Sequence, residues 1–239
     1  KAGLRDPYYL MEALKGKLTK RTRLVVITNL HNPSGVAANQ KDIKAAAEVA
    51  IEFKAPLLVD EIYLDGAQPS QPTAAMMDNV IVTSSVSKVY GFGGFRTGWI
   101  ICAEEIASRC YKAKSQTTIA GPYISEVMSA AGLRNGREKF LQRTRKVISG
   151  NYPIVREWID ANRDVIEWVP SSGGLICFPK YHARMDSEEL CRRLLDEKGV
   201  LVSPGKYFGL DGHFRLTYRN PENELRKALA GVSEVLRNL

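Results

Sequence analysis

The side chains that could do chemistry sit in a few short segments: Asn32, Asp60 with Tyr63, Ser85 with Ser87 and Lys88, then Arg96, and far downstream Arg215. A lysine amine attacks an aldehyde only when neutral, and desolvation near other cations lowers its pKa toward that state. A carboxylate at a buried strand end can hold a protonated partner through a charge-assisted hydrogen bond. An arginine fork matches the oxygens of a phosphate or carboxylate. Each residue also has a plain role: a lysine after a strand is usually a surface cation, and a tyrosine is often a half-buried packing aromatic. What separates the two readings is whether the chain brings these residues to one place.

Three β-branched runs, Leu24–Thr28, Leu57–Asp60 and Val80–Thr83, are almost continuously apolar, which predicts strands of a parallel sheet buried on both faces. Between the first two, Asn39 can cap a helix that the alanines Ala45, Ala46, Ala47 and Ala50 carry toward Lys54, completing a βαβ unit. The second connection, Leu64–Asn79, reads as a loop with one turn of helix. Ligands bind outside the carboxyl ends of parallel strands, and Asn32, Asp60 with Tyr63, and Ser85 with Lys88 follow the three strands directly. They are therefore expected at one edge of one sheet.

Further on, a fourth strand at Gly98–Cys102 and a helix from Glu104 to Lys114 are predicted. Helices at roughly 122–132 and 136–162 come next, and then short strands near Val165–Trp168 and Leu175–Phe178. A helix at Ser187–Glu197, strands at Val200–Ser203 and His213–Tyr218, and a closing helix from Pro221 complete the pattern. The alternation after residue 145 reads as a small α+β domain, giving an α/β chain with domains 1–145 and 146–239.

The stretch Ser85-Val-Ser-Lys-Val-Tyr-Gly-Phe-Gly-Gly-Phe-Arg-Thr-Gly98 resembles the lysine signature of the class I and II aminotransferases, fold type I enzymes that use pyridoxal 5′-phosphate (PLP). Asn32-Pro-Ser-Gly35 and Asp60-Glu-Ile-Tyr63 resemble the same family in the same order, and the likeness runs from about residue 5 to the C-terminus. The resemblance implies that Lys88 is the Schiff-base lysine and proton shuttle, that Asp60 holds the pyridine proton, and that Asn32 and Tyr63 donate to the phenolic oxygen. It implies a phosphate site at Ser85 and Arg96, with Ser87 as a rival to Ser85. Arg215, in His213-Phe-Arg-Leu-Thr217, stands where the family binds the substrate carboxylate, although Arg219 is nearby, and Asn32 is a further substrate contact. Ser171-Ser-Gly-Gly-Leu175 resembles a turn beside the substrate. A cis Asn32–Pro33 bond and a homodimer are also implied.

The implied activity is transamination between a 2-amino acid and a 2-oxo acid, with a lyase or synthase on the same scaffold as the alternative. The likeness begins well inside the family's large domain, so the reading is of a partial fold type I domain, lacking an upstream phosphate loop and ring-stacking aromatic, and an inactive fragment is a third possibility. Leu30 and Thr97 depart from the usual family residues without touching the chemistry.

Composition narrows the alternatives. Hydrophobic residues make up 44% and charged residues 25%, as in globular proteins. No apolar run approaches the roughly 20 residues that cross a bilayer, and residues 1–20 show no secretory pattern, so a cytoplasmic protein without a membrane partner is expected. The net charge of +8 is spread among acids, and its densest cluster, Arg134–Lys146, reads as a solvated helix face, so no nucleic-acid partner is expected. Cys102, Cys110, Cys177 and Cys191 form no CxxC pair, so they read as buried free thiols with no metal site. His31, without a partner histidine, reads as structural.

Overall fold

The computed structural model describes residues 14–239; the start of the family likeness near residue 5 lies outside them. The described residues form two compact units, one containing Leu14–His31 and Ala37–Thr144, the other Asn32–Val36 and Arg145–Leu239.

In the first unit, strands β1 (Val25–Thr28), β2 (Leu57–Asp60), β3 (Val80–Ser85) and β4 (Gly98–Ile101) form one sheet in that order. β1, β2 and β3 are parallel and β4 is antiparallel to β3, so the sheet is mostly parallel. The fourth strand explains why β3 runs two residues beyond its apolar stretch: Ser84 and Ser85 pair with Trp99 and Gly98. Helix α1 (Gln40–Glu52) begins where expected, with the Asn39 side-chain oxygen accepting the Asp42 N–H at 2.9 Å. Its apolar stripe, Ile43, Ala46, Ala47 and Ala50, packs with Val25, Leu57, Val59, Val80 and Val82. Strand alternation therefore turns Leu57 and Val59 toward α1 and Leu58 and Asp60 to the opposite face. The loop after β2 contains one 3₁₀ turn, Leu64–Gly66.

Helix α2 (Glu104–Thr117) has no buried residue. Helix α3 (Tyr123–Asp160) is a single helix of 38 residues where two are expected from the sequence, and it continues through Pro153. Gly132 and Gly136, which flank the expected gap between the two helices, lie against the Phe140 ring, 3.6 and 3.0 Å from where a Cβ would stand. Leu141, Leu133 and Phe140 pack with Val86, Val89, Tyr90 and Phe92. That burial outweighs the roughly 1 kcal/mol per glycine of lost helix propensity. The Arg134–Lys146 cluster is also not simply solvated: Arg137 pairs with Asp65, and Arg143 donates to the Tyr90 carbonyl.

The division between the units falls within α3. In the second unit, β6 (Ile176–Cys177), β9 (Phe214–Thr217) and β8 (Ser203–Pro204) form an antiparallel sheet in the order β6-β9-β8, and β5 (Ile166–Glu167) pairs with β7 (Lys180–Tyr181). Helices α4 (Ser187–Lys198) and α5 (Glu222–Arg237) enclose a core with Leu190, Leu194, Phe214, Tyr218 and Leu229. The strand expected at Val200–Ser203 starts only at Ser203. Val200 and Val202 are buried, but the Val200 N–H is committed to the Leu194 carbonyl at the end of α4. All four cysteines are free, and only Cys177 and Cys191 are buried; Cys102 and Cys110 are half-buried. Among the described residues no helix is long and apolar enough to cross a membrane.

Candidate functional site

The first unit gathers most of the chemical side chains at one edge of its sheet. Asp60 is the last residue of β2, in register with Thr28 of β1 and Thr83 of β3. Its backbone is fixed from both sides, since Asp60 O accepts the Asn29 N–H at 2.8 Å and Thr83 O accepts the Glu61 N–H at 2.8 Å. Its Oδ1 accepts the Ile62 N–H at 3.1 Å, which orients the carboxylate with respect to its own turn. Tyr63, 7% exposed, closes the same turn.

Ser85 ends β3 and its Oγ accepts the Ser87 N–H at 3.1 Å, so these two serines cooperate in one turn. Lys88 follows three residues past the strand. Its side chain is exposed while Val86, Val89 and Tyr90 around it are 0%, 1% and 2% exposed. Among the described residues no hydrogen bond or ion pair engages the Lys88 amine. Because β4 is antiparallel to β3, the pair Ser85–Gly98 returns the chain to the same edge, and Arg96 stands just before it. Arg96 is left-handed at φ +54°, a conformation costing about 1–2 kcal/mol for a non-glycine residue. Its Nη1 donates to the Gly93 carbonyl at 3.0 Å. Strand pairing, parallel for β2 and β3 and antiparallel for β3 and β4, thus brings Asp60, Tyr63, Ser85, Ser87, Lys88 and Arg96 to one edge.

Glu61 was not singled out from the sequence. It is 6% exposed, and its two oxygens accept the Thr73 hydroxyl and the Ala74 N–H, each at 2.6 Å. Burial raises its pKa above the usual carboxylate value, against the lowering effect of those two bonds. It latches the loop after β2 beside Asp60. His31 ends the first unit's N-terminal part, and burial lowers its pKa to about 4, which keeps the ring neutral.

The second unit holds the other two expected residues together. Arg215 of β9 donates from Nη1 to Asn32 Oδ1 at 3.0 Å and from Nη2 to Ser203 Oγ at 3.2 Å. Its guanidinium lies 4.9 Å from the centre of the Phe208 ring. Ser203 stands opposite Arg215 in the β8–β9 register. Ser203 and Phe208 were not foreseen, because strand pairing reveals the first and the packing of the 3₁₀ turn Gly205–Phe208 the second. Asn32–Pro33 is cis, as expected, and so are Asn29–Leu30 and Gln68–Pro69. The Gly35 carbonyl accepts the Ser172 N–H at 2.9 Å, which places the turn at Ser171–Leu175 against the Asn32–Val36 segment. Among the described residues no group of three or more His, Cys, Asp or Glu is placed to hold a metal ion.

The sequence profile described as "Aminotransferase class I and II" matches residues 8–232. Capreomycidine synthase of Streptomyces vinaceus is 30% identical over 229 residues, which is 95% of this chain and 59% of that protein. An aspartate aminotransferase of Rhizobium meliloti is 29% identical, over 93% of this chain and 58% of its own length. Among solved structures, a PLP-dependent aminotransferase from Streptococcus suis superposes with a TM-score of 0.88 at 26% identity, covering 96% of this chain and 61% of that one. An aspartate aminotransferase from Thermus thermophilus with maleate gives a TM-score of 0.87 at 26% identity, over 95% and 60%. The chain thus spans about three fifths of the length of these relatives.

Proposed function

This chain belongs to the class I and II aminotransferase family, whose members depend on PLP, and from that premise we propose that it serves a PLP-dependent transfer of an amino group between a 2-amino acid and a 2-oxo acid. The observation that carries the proposal is the β2–β3–β4 register, which puts an acid, an amine, two serine hydroxyls and an arginine at one sheet edge.

That donor set fits the cofactor. Lys88 would hold its aldehyde, Asp60 the pyridine nitrogen through the oxygen not used by the Ile62 N–H, and Ser85, Ser87 and Arg96 its phosphate. Tyr63 would donate to its phenolic oxygen. When bound, PLP supplies an electron sink for the carbanion at the substrate Cα. Lys88, exposed and uncommitted among the described residues, would serve, once the substrate amine has displaced it from the aldehyde, as the base that takes and returns the proton at the substrate Cα. Within the second unit Arg215, held by Asn32, Ser203 and Phe208, would be the guanidinium suited to an α-carboxylate. Asp60, fixed in the strand ladder, needs no rearrangement to meet a cation.

A homodimer belongs to the same proposal by family likeness, and light scattering of the complete gene product tests it. A second reading, a PLP-dependent synthase or lyase on this scaffold, is favoured by the likeness to a protein named capreomycidine synthase. The deciding experiment adds PLP to the complete gene product, reduces with borohydride and maps the modified peptide. It then measures amino acid turnover with and without a 2-oxo acid acceptor. Labelling at Lys88 with acceptor-dependent turnover supports transamination, and acceptor-independent turnover supports the second reading. Absence of a Lys88 adduct overturns both.

A further inference from the structure

The loop bearing Lys88 is tied down on both sides of the lysine. On its N-terminal side the Val86 carbonyl accepts the Phe92 N–H at 3.0 Å. On its C-terminal side the Val89 carbonyl accepts the Thr144 hydroxyl at 2.6 Å, and the Tyr90 carbonyl accepts Arg143 Nη2 at 2.7 Å, both from α3. Gly91, at φ +80°, makes room for this: a Cβ there would stand 2.5 Å from Arg143 Nη2.

One link joins this loop to the other half of the site. The Tyr90 hydroxyl donates to Asp65 Oδ2 at 2.5 Å, and Arg137 of α3 donates to Asp65 Oδ1 at 2.9 Å. Asp65 lies in the 3₁₀ turn directly after Tyr63, in the segment that starts at Asp60. Tyr90 is 2% exposed, so its hydroxyl must find a partner, and a carboxylate makes that bond short and charge-assisted. Burial, then the bond to Asp65, push the phenol up to about 12, so it remains a donor through the neutral range. The opposing charge of Arg137 offsets the burial of the carboxylate.

We propose that Tyr90, Asp65 and Arg137 form a positioning relay that sets the spacing between the Lys88 loop and the Asp60–Tyr63 segment. The proposal rests on the reading of Lys88 as the cofactor lysine. None of the three residues touches the reacting atoms; they act through the two loops that do. A shift of one loop against the other changes how far a ring held at Asp60 lies from the Lys88 amine, and misplacement on the ångström scale is enough to weaken a preorganised site.

The test compares Tyr90→Phe, Arg137→Ala and Arg137→Lys with the parent in the complete gene product. It reads the PLP concentration at half-saturation, the pH midpoint of the visible absorbance of the PLP-loaded protein, and borohydride labelling of Lys88. Tyr90→Phe and Arg137→Ala should raise half-saturation at least fivefold and move the pH midpoint by half a unit or more, with Lys88 still labelled at saturating PLP. Arg137→Lys, which keeps the charge, should recover most of both. If Tyr90→Phe does not fold, the half-exposed Arg137 pair of variants decides alone. Variants that label Lys88 normally and match the parent within twofold and a tenth of a pH unit overturn the relay and leave the lysine reading intact. A parent that is not labelled at Lys88 overturns both.

Discussion

Arg215 donates to Asn32 across 3.0 Å, so two residues separated by most of the sequence share one hydrogen bond within the second unit. If this guanidinium receives the substrate carboxylate, Arg215→Lys removes the fork but keeps the charge. The apparent KM for the amino acid should then rise about 10–100-fold, from the ~1.5–3 kcal/mol of a charged hydrogen bond, with a smaller change in kcat. Steady-state kinetics of the complete gene product check this, and an unchanged KM would remove Arg215 from substrate binding.

Glu61 offers a contrast between two substitutions. Glu61→Ala strands the Thr73 hydroxyl and the buried Ala74 N–H, at a cost of about 2–3 kcal/mol. Glu61→Gln retains a carbonyl for Ala74 and an amide that Thr73 can accept, so it should cost less than about 1 kcal/mol. Denaturant unfolding of the two variants should separate them clearly.

His31 sets an acid limit on stability. Its folded-state pKa is lowered from 6.5 to about 4, so the unfolded chain binds the proton more tightly. The stabilisation is complete well above pH 6.5 and is lost as pH falls toward 4, amounting to on the order of 3 kcal/mol. The raised pKa of Glu61 acts in the opposite direction as its carboxyl protonates on acidification. The difference between the parent and His31→Gln isolates the histidine. Unfolding midpoints compared at pH 7 and pH 5 should show a smaller acid loss in the variant.

Gly91→Ala should destabilise the protein by about 2 kcal/mol or more. The residue needs φ +80°, and the new methyl displaces the Arg143 guanidinium from the Tyr90 carbonyl. Gly94→Ala, with nothing within 4 Å of its Cβ position, is the control and should cost much less. Thermal unfolding of both proteins measures the gap.

The parallel strands were legible because burial on both faces writes itself as an unbroken apolar run, as in Leu57-Leu-Val before Asp60. Asn39 announced α1 through its capping chemistry. The continuity of α3 was hidden, since the Phe140 ring that lies against Gly132 and Gly136 is seen only once the helix is built. The position of β8 was hidden for a related reason: the alternation of Val200 and Val202 reports burial, but burial alone does not say which carbonyl takes the Val200 N–H. At the candidate site, Asp60, Lys88 and Arg96 were singled out by residue type and by a spacing that resembles the family signature. Ser203, Phe208, Glu61 and the Tyr90–Asp65 bond depend on register or on distant packing, and no local pattern encodes those.

The pentapeptide Asn32–Val36 belongs to the second unit although both of its flanks belong to the first. No single cut therefore yields the two units intact: a fragment starting at Arg145 would lack the Gly35 carbonyl that receives Ser172 and the amide that steadies Arg215. During synthesis this short piece is made well before β9, the last of the described strands, whose Arg215 it must meet. Maturation of the second unit is thereby tied to the making of β9, and swapping either half between homologues should succeed only when the pentapeptide travels with its own C-terminal portion.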